Sequence, residues 1–177
     1  MSYVKPNFLL VNKTAETLYF EYAKDMPIFD YHCHLSEKQI LENKEFNDIY
    51  EIWLSGDHYK WSLMRNYGVD EEYITGKKSP YEKFVTYCKV LATAFGHPLY
   101  HWSQLEIEKY FGCDLEINEK NADEIWNRCN AYIKKHHIAP QSLIIQSGVR
   151  GLFTTNDTFD DLEVFNKLKG RLSPLPG

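Results

Sequence analysis

The sequence lacks several features that would assign the chain to familiar classes. No apolar run among its 177 residues approaches the roughly 20 residues needed to span a bilayer, so we expect no membrane partner. The opening stretch, MSYVKPNFLL, has no long apolar segment followed by a small-residue cleavage site, so we expect no signal peptide. No glycine-rich phosphate loop and no Ser-His-Asp pattern are recognisable. These absences argue against a membrane protein, a P-loop protein and a serine hydrolase.

Cysteine and positive charge are both scarce. The four cysteines (Cys33, Cys88, Cys113 and Cys129) are widely and irregularly spaced, without a CxxC pair. This spacing favours reduced thiols in a cytoplasmic protein over a disulfide framework. The formal net charge of -5 argues against a nucleic-acid-binding surface, which would require clustered Lys and Arg.

The residues that are present predict a folded, helix-rich chain. Hydrophobic residues make up 44% and aromatic residues 15% of the sequence, enough for a packed core, and the length is typical of one domain. Periodicity and capping residues predict helices over 14–24, 48–67 (interrupted at 55–61), 79–95, 100–112, 121–135, 139–147 and 160–170. Strands are expected only within 27–35 and 148–157.

The first predicted strand, PIFDYHCHL (27–35), contains the main candidate site. Side chains alternate along a strand, so Asp30, His32 and His34 are expected on one face, with Tyr31 and Cys33 on the other. Two imidazoles at neighbouring positions on one face can converge on a single metal ion. The alternative is that the two histidines are spaced by chance and only form hydrogen bonds in a loop.

The position of this pair favours the metal-site interpretation. Ser36 begins a capping-box pattern, SEKQ, so a helix is expected directly after the strand. The histidines therefore lie at the carboxyl end of a strand, where ligand sites of parallel α/β proteins collect. Neutral imidazole suits zinc, but a catalytic zinc ion usually has about three protein ligands, so two histidines leave the site incomplete. Asp30 is expected to orient an imidazole rather than to bind the metal.

Other polar stretches have competing structural explanations. GDHYKW places His58, Tyr59 and Trp61 beside a glycine, which fits sugar binding or proton transfer, although structural aromatics are as common. His97 and His101 have helical i, i+4 spacing, but Pro98 argues against one regular helix containing both. The TTND stretch at 154–157 could bind a hydroxylated ligand or cap the following helix.

The predicted order is strand, many helices, strand, helix. Two strands cannot close a sheet, and a parallel barrel of eight strand–helix units needs about 250 residues. The chain is therefore interpreted as the opening part of a longer barrel, with a large helical insertion after the first strand. Because the strands would have unpaired edges, the isolated chain is expected to aggregate.

Taken together, the motifs resemble those of the uronate isomerases (glucuronate isomerases), a branch of the amidohydrolase superfamily. The segments that carry this resemblance occur in family order and are FLLVNKTAETLYFEYAKDMPIFDYHCHLS, WLSGDHYKWSLMRNYGVDEEYITG, YEKF, GHPLYHWSQLEIEKYFG and GVRGLFTTND. Each segment alone is weak evidence for the family. The combination of DYHCHLS with GDHYKWSLMR and HPLYHW is highly specific for it. The resemblance covers residues 8 to about 165.

This resemblance implies a fold and a reaction. The fold would be α/β, the N-terminal part of a distorted (β/α)8 barrel with a large helical insertion after the first strand. The reaction would be an aldose–ketose isomerisation of D-glucuronate to D-fructuronate, or of D-galacturonate to D-tagaturonate. A base removes the C2 proton, an enediol forms, and the proton returns at C1. A divalent metal, commonly zinc in this family, would orient or polarise oxygens of this small-molecule substrate.

The matching motifs also imply residue roles. By position in the motifs, the metal ligands would be His32 and His34, the catalytic residues His58 and Tyr59, and the substrate-binding residues Trp61 and Arg65. An arginine suits the substrate carboxylate because a guanidinium can bind it with two parallel hydrogen bonds.

The sequence departs from the family pattern in two places. The stretch TTNDT stands where the family more usually has TTDDP. The differences at Asn156 and Thr158 weaken the case that this stretch has the functional role it has in the family. The family completes its metal site with an aspartate at the last strand and a nearby arginine, and neither is found after the second strand here. The chain is therefore expected to be an inactive fragment of a longer parent, which can form homo-oligomers.

The chain is expected to divide into four parts. These are an N-terminal helix with the first strand (1–36), a helical insertion (37–140), a second strand–helix unit (141–170) and an unstructured tail (171–177).

Two alternatives to the isomerase function remain open. A metal-dependent hydrolase of the same superfamily would share the two histidines, and a non-catalytic helical remnant would have no uronate turnover and little metal affinity.

Overall fold

The structure is a computed structural model in which residues 4–156, 159 and 163–168 are described. Within these residues two parallel strands are separated by a long helical region. The strands are β1 (Ile28–Cys33) and β2 (Val149–Thr154). The α-helices are α1 (Lys13–Thr17), α2 (Glu37–Glu42), α3 (Ile49–Trp53), α4 (His58–Asn66), α5 (Pro80–Leu91), α6 (Pro98–Phe111), α7 (Ala122–His136), α8 (Pro140–Gln146) and α9 (Glu163–Leu168). A π-helical segment (Leu18–Ala23) follows α1, and short 3-10 turns occupy Glu71–Tyr73 and Glu119–Asn121.

The chain divides into two compact units. The helical unit comprises Met1–Phe8 and Phe46–His137, and the strand-containing unit comprises Leu9–Glu45 and Ile138–Gly177. The helical unit is thus inserted, along the chain, between the two strands of the other unit. Among the described helices, none is both long and apolar enough to cross a membrane.

The core of the helical unit forms around α5. This helix packs against α3, α4 and α7, and α6 packs against α7. The ring of Trp53 stacks on Phe84 with centroids 6.1 Å apart and meets Tyr87 edge-on at 5.9 Å. All three side chains are buried, as are Ile107 and Ile125 from α6 and α7. This apolar face explains why these segments are helical, because helix stability in proteins comes mainly from packing one face.

Local signals set the ends of these helices. The helix α5 begins where it was predicted to begin, and Ser79 and Glu82 form a complete capping box there. Gly112 ends α6 in the left-handed conformation (φ 62°), a backbone state in which glycine carries no Cβ penalty. The predicted extension of this helix to residue 95 is wrong. The helix stops at Leu91, so Phe95 lies beyond its end and is 76% exposed.

The strand-containing unit is built on β1 and β2, which pair in parallel. The register shifts twice, once between Ile28 and Phe29 and once between Asp30 and Cys33. The first shift adds a residue on β2 and the second adds one on β1, so the strand ends stay aligned. Cys33 lies opposite Thr154. The irregularity in β1 therefore falls directly beside His32.

The helix after β1 is fixed by a cap and by long-range hydrogen bonds. Ser36 caps α2 by accepting from the Gln39 N–H, which confirms the predicted helix start. Gln141 of α8 donates its side-chain amide to the Ile40 carbonyl (2.8 Å) and its main-chain N–H to Asn43 (3.0 Å). These bonds hold α2 and α8 together across about 100 residues of intervening sequence.

The observed architecture is α/β, helix-rich and with a small parallel sheet, which agrees with the predicted class. A second helical boundary also differs from the prediction. Residues 55–61 were expected to interrupt a helix, but α4 already begins at His58 and only 54–57 are non-helical. The predicted unstructured tail (171–177) lies outside the described residues, as do Asp157 and Thr158.

Candidate functional site

His32 and His34 lie at the carboxyl end of β1. His32 belongs to the strand and His34 follows its last residue. Their Nε2 atoms are 3.2 Å apart and the ring centroids are 5.0 Å apart, with the planes inclined at 75°. Both side chains are exposed. The two imidazoles therefore converge, as the alternation pattern predicts, although their role as metal ligands is a separate question.

The irregularity in β1 changes the surroundings of the neighbouring residues. Tyr31 and Cys33 were expected on the same opposite face, but Tyr31 is 86% exposed and Cys33 is buried. This difference in burial coincides with the register shift between Asp30 and Cys33. The Asp30 carboxylate accepts from the main-chain N–H of His32 (3.3 Å), so this contact orients the backbone rather than the ring.

The end of β2 contributes hydroxyl groups beside the end of β1. The carbonyl of Cys33 accepts from both the N–H (3.1 Å) and the hydroxyl (3.3 Å) of Thr155. The Thr154 hydroxyl donates to the Asn156 side-chain oxygen (2.6 Å). Thr155 therefore joins the two strand ends one residue away from His34.

The donor atoms of the histidine pair fit a tetrahedral zinc ion. Two nitrogen ligands, each about 2.05 Å from such an ion, lie roughly 3.3 Å apart. The observed Nε2–Nε2 separation is 3.2 Å. No cluster of three or more His, Cys, Asp or Glu side chains with suitable placement occurs among the residues that the structure describes. The pair can therefore supply two ligands and needs others from elsewhere.

The second group of candidate residues lies at the start of α4. Asp57 caps this helix through one carboxylate oxygen, which accepts from the N–H groups of Tyr59 (2.9 Å) and Lys60 (3.1 Å). Its other oxygen accepts from the Lys60 ammonium at 2.7 Å. The cap places His58 and Tyr59 in the first helical turn, both exposed, with ring centroids 5.5 Å apart. They belong to the helical unit, whereas His32 and His34 belong to the other unit.

The two candidate substrate-binding residues use their donors within the protein. The Trp61 indole N–H donates to the Leu54 carbonyl at 2.6 Å, which ties α4 to the end of α3. Arg65 donates from Nε and Nη2 to the two carboxylate oxygens of Glu71, at 2.9 and 2.6 Å. The Arg65 guanidinium and the Thr75 hydroxyl lower the pKa of Glu71 to about 2. A substrate carboxylate would have to compete with Glu71 for Arg65.

The second histidine pair, His97 and His101, does not form one helical site. His97 is the N-cap of α6 and its Nδ1 accepts from the Leu99 N–H at 3.2 Å. Pro98 occupies the first turn, and His101 follows within the helix. The prediction that Pro98 separates the two histidines is therefore confirmed.

A partly buried polar cluster around Lys60 was not predicted. Lys60 is only 6% exposed, and its ammonium lies 5.9 Å from the centroid of the Trp53 ring. Burial raises the pKa of Glu106, while Lys60 and a hydrogen bond with the Trp53 side chain act in the opposite direction. The Asp57-to-Lys60 spacing of three residues was a signal for part of this cluster. Nothing in the sequence linked Glu106 to it.

Comparison with known proteins assigns the chain to a family. A family model described as glucuronate isomerase matches residues 1–173. The chain belongs to the glucuronate isomerase family. The resemblance inferred from DYHCHLS, GDHYKWSLMR and HPLYHW is thereby confirmed.

Individual relatives agree with this assignment. The chain is 51% identical over 168 residues to a uronate isomerase of Clostridium acetobutylicum, covering 95% of this chain and 36% of that one. It is 49% identical over 167 residues to a uronate isomerase of Caldanaerobacter subterraneus subsp. tengcongensis, covering 94% and 36%. The chain thus spans about 36% of the length of these curated relatives.

Solved structures match as well. The crystal structure of a uronate isomerase from Thermotoga maritima superimposes with a TM-score of 0.90 at 39% identity, covering 97% of this chain and 38% of that one. A glucuronate isomerase from Caulobacter crescentus superimposes with a TM-score of 0.79 at 22% identity, covering 88% and 34%. The second match is evidence for the fold alone.

Proposed function

We propose that this chain supplies the first metal-binding strand of a uronate isomerase. The activity would belong to a polypeptide of the relatives' length and would interconvert D-glucuronate with D-fructuronate, or D-galacturonate with D-tagaturonate. The observation that carries the proposal is the convergence of His32 and His34, 3.2 Å apart at Nε2, in a chain of this family. The chain by itself is expected to be inactive.

His32 and His34 would hold a divalent metal ion, zinc in the first instance. Two exposed ring nitrogens at this separation suit two of the positions around a tetrahedral ion. The family resemblance implies a further aspartate ligand from a strand that is not part of this sequence. When bound, the metal supplies a Lewis acid that orients and polarises substrate oxygens. Thr155, hydrogen-bonded to the Cys33 carbonyl, supports the backbone that presents the two rings.

His58 and Tyr59 would carry the proton chemistry. An aldose–ketose isomerisation needs a group that removes the C2 proton and one that returns a proton at C1. Imidazole can accept and donate protons near neutral pH, and a phenol can hydrogen-bond a sugar oxygen. The Asp57 cap supports these roles because it fixes the backbone of the turn from which both side chains project.

Arg65 and Trp61 would bind the substrate. Arg65 presents a planar fork that suits a carboxylate, and its contact with Glu71 is already of this kind. The sugar carboxylate would exchange with Glu71. Trp61 would contact the sugar through its ring, because its N–H already donates to Leu54.

The unit formed by β1 and β2 would be the opening part of a distorted (β/α)8 barrel. The support is that the two strands are parallel and joined through the helical region, and that a helix follows each of them. The domain division at residues 36, 140 and 170 is retained as part of this proposal. The binding partner would be a small-molecule uronate. The longer protein would form homo-oligomers.

A chimera tests the proposed function. The 168 aligned residues of this chain would replace the matching segment of the Clostridium acetobutylicum uronate isomerase, and both uronates would be assayed for ketose formation. We expect isomerase activity within about tenfold of the parent, and its loss in the His58→Ala version. A folded chimera that does not isomerise either uronate, or that only hydrolyses amide or lactone substrates, would contradict the proposal.

A further inference from the structure

A buried lysine lies directly beside the two candidate catalytic residues. Lys60 follows His58 and Tyr59 in the first turn of α4, and it is 6% exposed, whereas those two side chains are exposed. The Lys60 side chain enters the core of the helical unit, where its ammonium lies 5.9 Å from the centroid of the buried Trp53 ring. The proposed isomerase reaction makes no direct use of this lysine.

Lys60 is paired with the carboxylate that begins the helix. Its ammonium donates to Oδ2 of Asp57 at 2.7 Å. Oδ1 of Asp57 accepts from the main-chain N–H groups of Tyr59 (2.9 Å) and Lys60 (3.1 Å). Both carboxylate oxygens therefore have donors, and the ammonium restricts the rotation of the group that caps the turn. His58 lies in sequence between the capping residue and these donors.

Contacts with α3 hold this turn in place. Besides the contact of Lys60 with Trp53, the Trp61 indole N–H donates to the Leu54 carbonyl at 2.6 Å. Trp53 is the last residue of α3, Leu54 follows it, and both are buried. Two side chains of α4 therefore tie its start to the end of α3, and the two candidate catalytic residues project from the turn that is held in this way.

Stability alone does not account for a charged pair at this position. Moving an ammonium and a carboxylate out of water costs free energy, and apolar residues of similar volume often replace a buried ion pair without loss of stability. A methionine at position 60 would cover the Trp53 ring equally well. The carboxylate that the ammonium holds is the cap of the candidate catalytic turn, which points to a role in the geometry of that turn.

We propose that Lys60 is a positioning residue of the isomerase site, whose ammonium holds Asp57 and thereby the turn that presents His58 and Tyr59. This inference rests on the proposed function, in which those two residues carry the proton chemistry. Proton transfer at C1 and C2 requires precisely placed groups, and a displacement of about 1 Å can lower the rate about a hundredfold. Lys60 itself does not touch the substrate.

Kinetics of the chimera with the Clostridium acetobutylicum uronate isomerase test the proposal. Lys60→Met keeps the length of the side chain and removes the ammonium. We expect kcat to fall at least about tenfold and KM to stay within about threefold, because the substrate-binding residues are untouched.

Lys83→Met is the matched control. Lys83 is also 6% exposed, its ammonium donates to the Gly76 carbonyl at 2.7 Å, and it lies 5.5 Å from the centroid of the Tyr50 ring. This buried lysine therefore makes the same kinds of contact away from the candidate catalytic turn. Its replacement should lower the melting temperature but leave kcat within about twofold of the unaltered chimera.

A double variant separates positioning from the effect of an unpaired charge. Lys60→Met leaves the Asp57 carboxylate without its cationic partner, whereas Asp57→Asn combined with Lys60→Met removes both charges and keeps a side-chain oxygen that can cap the helix. We expect the double variant to melt close to the unaltered chimera, as measured by circular dichroism, and to keep the low kcat. Recovery of kcat in the double variant would overturn the proposal, because Lys60 would then only neutralise a charge.

Amide hydrogen exchange in the 177-residue chain gives a test that needs no activity. The Tyr59 N–H, which donates to Asp57, should exchange about tenfold faster in Lys60→Met and at an unaltered rate in Lys83→Met. The proposal is overturned if this rate is unchanged in Lys60→Met, or if the folded Lys60→Met chimera keeps its kcat within about twofold. An inactive unaltered chimera would contradict the proposed function, and the Tyr59 exchange rate would still decide whether Lys60 holds the turn.

Discussion

At the scale of single residues, the contact between Arg65 and Glu71 combines geometry and charge. Two parallel N–H donors of the guanidinium meet the two carboxylate oxygens, and the Thr75 hydroxyl donates to one of them at 2.6 Å. These donors lower the pKa of Glu71 to about 2, from an ordinary value of 4.5. Because the folded-state pKa is depressed, the contact stabilises the folded chain above about pH 4.5. That stabilisation is lost as the pH falls from about 4.5 to about 2.

Removing the guanidinium should move this titration. In Arg65→Met, the Glu71 carboxyl should titrate closer to 4.5, because its largest stabilising donor is gone and only Thr75 remains. The measurement is a carbon-13 NMR titration of the side-chain carboxyl groups. Glu82 is the matched control, since its pKa of about 2 depends on Ser79 and Lys78 instead. An unchanged Glu71 midpoint in Arg65→Met would show that Arg65 does not hold this carboxylate.

Residue patterns predicted the histidine pair but not the pairing of Arg65. His32 and His34 are two positions apart, the spacing that places side chains on one face of a strand, and this spacing predicted that their rings converge. Glu71 lies six residues after Arg65 and beyond the end of α4, where no fixed helical spacing applies. The contact depends on how the chain turns at Gly68, which adopts a positive φ of 74°. Turn geometry of this kind cannot be read from side-chain periodicity.

At the scale of elements, α5 and α6 share a buried polar contact. The Tyr87 hydroxyl and the Ser103 hydroxyl are 2.9 Å apart, and both residues are fully buried. Burial raises the pKa of Tyr87, so the phenol stays protonated and can act as a donor. A buried hydroxyl that loses its partner costs free energy because it no longer has water or protein to bond.

A double-mutant cycle tests this contact. Tyr87→Phe should lower the free energy of unfolding by about 1–2 kcal/mol, since it leaves the Ser103 hydroxyl unpaired. Tyr87→Phe combined with Ser103→Ala should cost less than the sum of the single changes, with a coupling of about 1 kcal/mol. Urea denaturation of the chain measures each term. Tyr22→Phe, a change at a tyrosine that is 67% exposed, should change the free energy of unfolding by less than about 0.5 kcal/mol. Strict additivity at Tyr87 and Ser103 would argue against the bond.

Helix starts were more predictable than helix ends and strand details. Ser36 and Ser79 cap α2 and α5 as expected, because an N-cap depends on residues three positions apart. The early end of α5 at Leu91 follows no glycine or proline in the sequence, so Phe95 was misplaced. The register shift beside His32 depends on the partner strand, about 120 residues away, and has no local signal.

At the scale of the whole molecule, the two units differ in how they cover apolar side chains. The helical unit buries Trp53, Phe84 and Tyr87. In the strand-containing unit, by contrast, Tyr31 on β1 and Phe153 on β2 are 86% and 66% exposed. Two parallel strands alone are marginally stable, and exposed apolar side chains on them favour association.

The isolated chain should therefore self-associate through its strands. Replacing Tyr31 and Phe153 together by Thr should reduce association, because β-branched Thr keeps strand propensity while removing the aromatic surface. Sedimentation velocity over a range of concentrations measures this effect. Phe95→Thr is the control, since Phe95 is similarly exposed but lies in the helical unit. If the unaltered chain stays monomeric at high concentration and melts in one sharp transition, this expectation is wrong.

The central claim is most directly tested by the metal content of the chimera with the Clostridium acetobutylicum relative. The purified chimera should bind zinc, measured by atomic emission after dialysis, and His32→Ala or His34→Ala should each reduce the bound zinc about tenfold or more. His136→Ala, a change at an exposed histidine at the end of α7, should leave the zinc content unaltered. Full zinc occupancy in both the His32 and His34 variants would contradict the account.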